Sequence, residues 1–166
     1  MHRLDRPVSG IVVFAKTSKA ASRLSNQIRL NTWRKVYIAV AKGKVEPGTY
    51  IDYLYNDKKT NTSYVVDETH PKGKKSKLKV LTVDYHPEED LSYVKIKLIT
   101  GRSHQIRVQF AHRGTSLWGD ARYNFHSSAG QQIALFASEL EIEHPTLKKR
   151  LVFKDKAPKV YPFTLW

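Results

Sequence analysis

L-K-V-L-T-V-D-Y-H-P-E-E-D-L-S-Y-V-K-I-K-L-I-T (Leu78–Thr100) is the stretch on which the fold turns. Two runs rich in β-branched and aromatic residues, Leu78–Tyr85 and Leu91–Thr100, flank the polar loop His86-Pro87-Glu88-Glu89-Asp90. That pattern predicts a hairpin. In the second run Val94, Ile96 and Leu98 alternate with Lys95 and Lys97. A period of two puts one set against a core and the other in water.

Working outward, Lys35–Ala41 alternates in the same way, with Val36, Ile38 and Val40 on one strand face and Tyr37, Ala39 and Ala41 on the other. Gly43–Gly48, with Pro47, reads as a loop leading to a strand at Tyr50–Tyr55, and residues 56–77 read as a polar, exposed excursion. Ser9–Lys16 (S-G-I-V-V-F-A-K) predicts a buried strand. Thr17 or Ser18 then caps a helix whose Ala21, Leu24 and Ile28 share a face. Ser103 is placed to cap a second helix running to about His112, stopped by Gly114. Strands at Ile133–Ala137, Glu139–Glu143 and Leu151–Lys154 complete the expectation. Residues 1–166 are expected to form one α+β domain, a mixed, mostly antiparallel β-sheet with short flanking helices.

Composition narrows the function. Lys and Arg number 29 against 15 Asp and Glu, a formal net charge of +14. Residues 1–50 carry ten basic and two acidic residues, 51–100 nine and eight, and 101–166 ten and five. The excess lies in the outer thirds, which points to a polyanionic partner. Aromatic residues at 11% are too many for a disordered basic tail. With no cysteine, this chain has no disulfide, thiol nucleophile or thiolate-bound metal. No apolar run approaches the roughly 18 residues of a membrane span, and the first residues show no apolar signal region. The expectation is a cytoplasmic protein without membrane contact.

Two segments concentrate ionisable groups beside glycine and turn residues. His2-Arg3-Leu4-Asp5-Arg6-Pro7-Val8-Ser9-Gly10 sets a carboxylate between two guanidiniums, on a loop before a strand. Gly101-Arg102-Ser103-His104-Gln105-Ile106-Arg107 feeds a helix start with two further guanidiniums, an anion site or the counter-charge of a buried carboxylate. The seven histidines contain no His-Glu-x-x-His pattern and no His-x-His pair, so no metal ligand set is predicted.

His2–Thr17 (H-R-L-D-R-P-V-S-G-I-V-V-F-A-K-T), Arg34–Val40 (R-K-V-Y-I-A-V), Gly101–Gly114 (G-R-S-H-Q-I-R-V-Q-F-A-H-R-G) and Trp118–Tyr123 (W-G-D-A-R-Y) together resemble the ordered motifs of the RluA-type RNA pseudouridine synthases. The resemblance implies that Asp5 is the catalytic residue, that Tyr37 packs on the target uracil and that Arg107 pairs with Asp5. It further implies that Arg3 helps displace or replace the flipped base and that Leu135 lines an apolar pocket. Arg6, Arg102 and His104 are expected to complete the RNA-contacting set. The implied partner is structured RNA, ribosomal or transfer, and no cofactor is required. The reaction breaks the C1′–N1 bond of uridine, rotates the uracil and rejoins it through C5. A carboxylate can serve as nucleophile or base in it, and attack at C6, attack at C1′ and removal of the 2′ proton all remain open.

The chain departs from the family pattern in two places. It begins at the first motif, where the family's domain normally carries several dozen further residues, so the expectation is either a smaller sheet or an N-terminally truncated fragment. Phe136 also stands where the family usually has histidine. With neighbours on one side only, a Ser9–Lys16 strand would leave Ile11, Val12, Val13 and Phe14 on an uncovered edge prone to self-association. The competing functional reading is a binding domain of the same descent, holding RNA without a competent pocket.

Overall fold

A computed structural model describes residues 2–123 and 132–166. In chain order the elements are β1 (Ser9–Gly10), α1 (Ser18–Arg29), β2 (Arg34–Lys42), β3 (Gly48–Asp57), β4 (Thr62–Val66), β5 (Lys74–His86), β6 (Leu91–Leu98), α2 (Gln105–His112), β7 (Leu135–Glu143) and β8 (Arg150–Lys154). The strands form one sheet in the order β1-β7-β2-β6-β5-β3-β4, with β8 also on β7. Among the described residues only the β1–β7 pair is parallel. The expected hairpin is β5–β6, and α1 is capped by the Thr17 hydroxyl, which accepts the Ala20 N–H.

Strand β2 is buried on both faces. Tyr37, Ala39 and Ala41 meet Leu78, Val94 and Ile96 of the hairpin and Ile106 and Phe110 of α2. On the other side Ile38 and Val40 meet Phe136 and Phe163. A central strand with layers on both sides needs no polar face, hence its unbroken small and apolar pattern. Each large side chain removed from water here, such as Phe110, contributes about 1.5–3 kcal/mol.

Four local expectations are corrected. The Ser9–Lys16 strand shrinks to Ser9–Gly10, because β8 occupies the remaining edge of β7 at Glu139–Glu143. Ile11 donates one last hydrogen bond to the Ala137 carbonyl (3.0 Å). Ile11, Val13 and Ala15 then pack on Leu24, Trp33, Leu140 and Ile142, so most of the apolar run serves a core cluster. Phe14 stays exposed.

The polar stretch 56–77 holds β4 and the start of β5. Its fully buried positions are Ser63 and Ser76, polar residues that hide the strand pattern, and the Ser63 hydroxyl donates to the Ser103 carbonyl at 2.7 Å. Lys75, Lys77 and Lys79 project from the opposite face of β5, with Lys97 of β6 directly across from Lys79. Glu88, Glu89 and Asp90 sit in the hairpin turn. The near-neutral middle third is therefore sorted by the sheet into a basic face and an acidic tip.

The two strands expected at Ile133–Ala137 and Glu139–Glu143 are one, β7, interrupted by a bulge. Val36 pairs with Glu139 and Tyr37 with Ala137, leaving Ser138 unpaired. A bulge swaps the inward and outward sets, which makes one strand read as two. Finally, Ser103 does not cap α2. His104 holds the N-cap position at φ 52°, and the Gln105 side chain instead accepts the Arg102 N–H (3.0 Å) and the Thr100 hydroxyl (2.8 Å).

Gly10 explains how β1 reaches the sheet. Its φ is +118°, and a Cβ there would lie 2.5 Å from the backbone N and O of Ala137. No side chain fits against a neighbouring backbone at that distance. Gly10→Ala is expected to detach β1, and with it the loop that carries Asp5. Thermal melts should show a loss of roughly 1–3 kcal/mol; a variant melting like the parent would refute this account.

Candidate active site

At one end of the sheet the loop before β1, the start of β2 and the start of α2 enclose a cavity of about 620 Å³. Asp5, Tyr37, Leu135, His104 and Arg107 line it, with Arg3 and Arg102 as exposed guanidiniums. The Asp5 carbonyl accepts the Val8 N–H (2.9 Å), closing a turn around Arg6-Pro7, and Gln132 Nε2 ties that turn down by donating to the Pro7 carbonyl (2.7 Å). The β7 bulge lies opposite Tyr37, the kind of strand irregularity that re-aims a side chain at a site.

The ring of Tyr37 is almost wholly buried, and its phenol is pushed up to about 12, first by burial and then by the charge of Asp5. It is a neutral phenol throughout the working range of a protein. Asp5 is partly exposed, and two groups from α2 approach the same oxygen: Arg107 Nη1 lies 3.6 Å and His104 Nε2 3.9 Å from Asp5 Oδ2.

Arg107 has a second and tighter partner. Its Nε and Nη2 donate to the two carboxylate oxygens of Asp120, both at 2.8 Å, and both side chains are buried. Burial opposes the Arg107 charge. The Asp120 hydrogen bonds, then the charges of Asp120 and Asp5, outweigh it and hold the guanidinium above its usual value. The resemblance led to an expected Arg107–Asp5 pair; the bidentate pair is Arg107–Asp120, with Asp5 at the remaining nitrogen. Planar fork geometry allows one guanidinium to serve both.

His104 is held below the ordinary imidazole value, chiefly by burial, with Arg107 and Arg122 adding to the effect and Asp5 and Asp120 opposing it. Its Nδ1 lies 2.9 Å from the Tyr123 hydroxyl, which in turn accepts the Ser63 N–H at 2.9 Å. The Tyr123 ring also lies under Arg107, 5.2 Å from guanidinium carbon to ring centre.

Of the residues expected from sequence, Asp5, Tyr37, Arg107, Arg3, Arg102, His104 and Leu135 come together around one cavity. Arg6 sits exposed on the adjacent turn, outside the cavity lining. Sequence reasoning gave no role to Asp120, Tyr123 or Ser63. The first two stand in the W-G-D-A-R-Y stretch, where an acid and a tyrosine three residues apart were the available signal.

The chain belongs to the RNA pseudouridylate synthase family, whose sequence model matches residues 1–112. It is 33% identical over 160 residues to an uncharacterized RNA pseudouridine synthase of Bacillus subtilis, covering 95% of this chain and 52% of that protein. It is likewise 33% identical over 174 residues to tRNA pseudouridine synthase C of Pectobacterium carotovorum, covering 94% and 46%. The chain thus spans about half the length of these two relatives. Human RNA pseudouridylate synthase domain containing 1 shares the fold, with a TM-score of 0.77 and 23% identity over 96% of this chain and 69% of that one. Asp120 and Tyr123 lie beyond the matched segment.

Proposed function

We propose that this chain is the catalytic part of an RNA pseudouridine synthase, acting on a uridine in structured RNA with Asp5 as its catalytic carboxylate. One observation carries the reading: a guanidinium and an imidazole converge on one Asp5 oxygen beside a buried tyrosine ring. The flipped uracil stacks on Tyr37, which returns roughly 1–3 kcal/mol of the unstacking cost. Asp5 then acts on the nucleoside as the C1′–N1 bond breaks and a C1′–C5 bond forms. The proton on C5 leaves to solvent and N1 regains one, so the reaction is a balanced isomerisation.

Transfer RNA is the substrate class we favour, since two bacterial relatives over nearly the whole chain carry the name tRNA pseudouridine synthase C. The test is tritium release from RNA labelled at C5 of uridine, with transfer and ribosomal RNA offered separately. Release from transfer RNA is the expected result. Binding without release from either would return the chain to the competing reading of a non-catalytic RNA-binding domain.

RNA affinity should be driven by phosphate contacts, given the net charge of +14. A plot of log affinity against log salt is expected to be linear, with a slope near −0.7 for each phosphate neutralised on single-stranded segments. Affinity that hardly changes between low and physiological salt would count against it.

A further inference from the structure

We infer that Tyr123 is a positioning residue that fixes His104 with its Nε2–H toward Asp5, so that Oδ2 is the held oxygen of the carboxylate and Oδ1 the one presented to the nucleoside. The inference rests on the proposed catalytic role of Asp5, and it goes further by giving the two oxygens different tasks.

The hydrogen-bond directions carry it. The backbone N–H of Ser63 can only donate, so at 2.9 Å the Tyr123 oxygen accepts from it. Among the described residues the other polar neighbour at hydrogen-bond distance is His104 Nδ1 at 2.9 Å, and a hydroxyl proton directed there makes Nδ1 the acceptor. An imidazole that accepts at Nδ1 carries its proton on Nε2. That nitrogen faces Asp5 Oδ2 at 3.9 Å, and Arg107 Nη1 faces the same oxygen at 3.6 Å. Such contacts commonly tighten when substrate fills a site. The opposite tautomer would turn a lone pair on the carboxylate.

The scaffold is built to keep this direction. His104 takes its left-handed backbone at the start of α2, a conformation that turns its ring inward against Tyr123. Ser63 is locked on β4 by its hydroxyl bond to Ser103, the residue before His104. The lowered imidazole value, set mainly by burial against the opposing charges of Asp5 and Asp120, keeps the ring neutral, so a single tautomer is meaningful.

The test uses the whole chain. Two-bond nitrogen–proton NMR correlation, without RNA, reads the His104 tautomer directly. At neutral pH the parent is expected to show one neutral form protonated at Nε2, and Tyr123→Phe a mixture of both neutral forms. In tritium release Tyr123→Phe should lower kcat about ten-fold with KM for RNA unchanged. His104→Gln keeps an amide donor near the Nε2 position without needing the tyrosine. In that background Tyr123→Phe should change kcat by no more than about two-fold.

A parent spectrum protonated at Nδ1, an unchanged spectrum in Tyr123→Phe, or equal kcat losses in both backgrounds would overturn the inference. A chain that makes no pseudouridine at all overturns the catalytic reading instead, and the spectrum still reports the tautomer.

Discussion

Asp5→Asn is expected to fold, to bind RNA as tightly as the parent or slightly tighter, and to release no tritium from C5-labelled uridine. The amide keeps the shape of the side chain and removes the charge that acts on the nucleoside. Loss of the acting group should lower turnover by roughly 10³-fold or more. Were Asp5 the only anionic partner of Arg107, the same change would strand a buried cation and cost about 3–5 kcal/mol. Arg107 instead keeps both of its 2.8 Å bonds to Asp120, and Asp5 is partly exposed and 3.6 Å away. The melting transition should therefore move by no more than about 1 kcal/mol, the scale of a solvent-screened ion pair. Because stability is preserved, inactivity is interpretable as chemistry. Tritium release at the parental rate from folded Asp5→Asn would sink the catalytic assignment.

Asp120→Asn should give the reverse pattern, with a large loss of stability arising at a distance from the reacting atoms. It leaves the buried Arg107 guanidinium without its carboxylate, an expected cost of about 3–5 kcal/mol. For a chain of this size that lowers the melting temperature by on the order of 10 °C. Activity should fall as well, because Arg107 then has Asp5 as its nearest remaining carboxylate and is free to swing out of line with it. The double variant Asp120→Leu with Arg107→Met separates the two effects. It replaces the buried charges with apolar groups, so it should recover much of the stability and none of the activity. An Asp120→Asn protein melting within a degree or two of the parent would show that the pair does not hold the site together.

Much of this architecture was legible in the chain. The Leu78–Thr100 hairpin, the Thr17-capped helix and the β2 strand followed from period and cap chemistry, which are local and act wherever the chain goes. The ordered motifs likewise marked Asp5, Tyr37 and Arg107 as belonging to one site. What local reading missed shares one feature: a tertiary partner decided it. The long apolar run before α1 has every local mark of a strand. It leaves the sheet because β8 already fills that edge of β7. Strand β4 is invisible to hydropathy because its fully buried residue is Ser63, whose polar atoms are satisfied by Ser103 and Tyr123, both far along the chain.

The same holds at the site. Which of the nearby carboxylates Arg107 grips depends on distances of a few ångströms between Asp5, before β1, and Asp120, after α2. The tautomer of His104 depends on a hydroxyl 19 residues away in sequence, oriented by a backbone amide 60 residues from it. Residue types and spacing determined which chemistry this chain holds and which segments carry it. Only the tertiary structure decided which charges meet and which oxygen of Asp5 is held, because Coulomb and hydrogen-bond energies depend on separations in space that spacing along the chain does not encode.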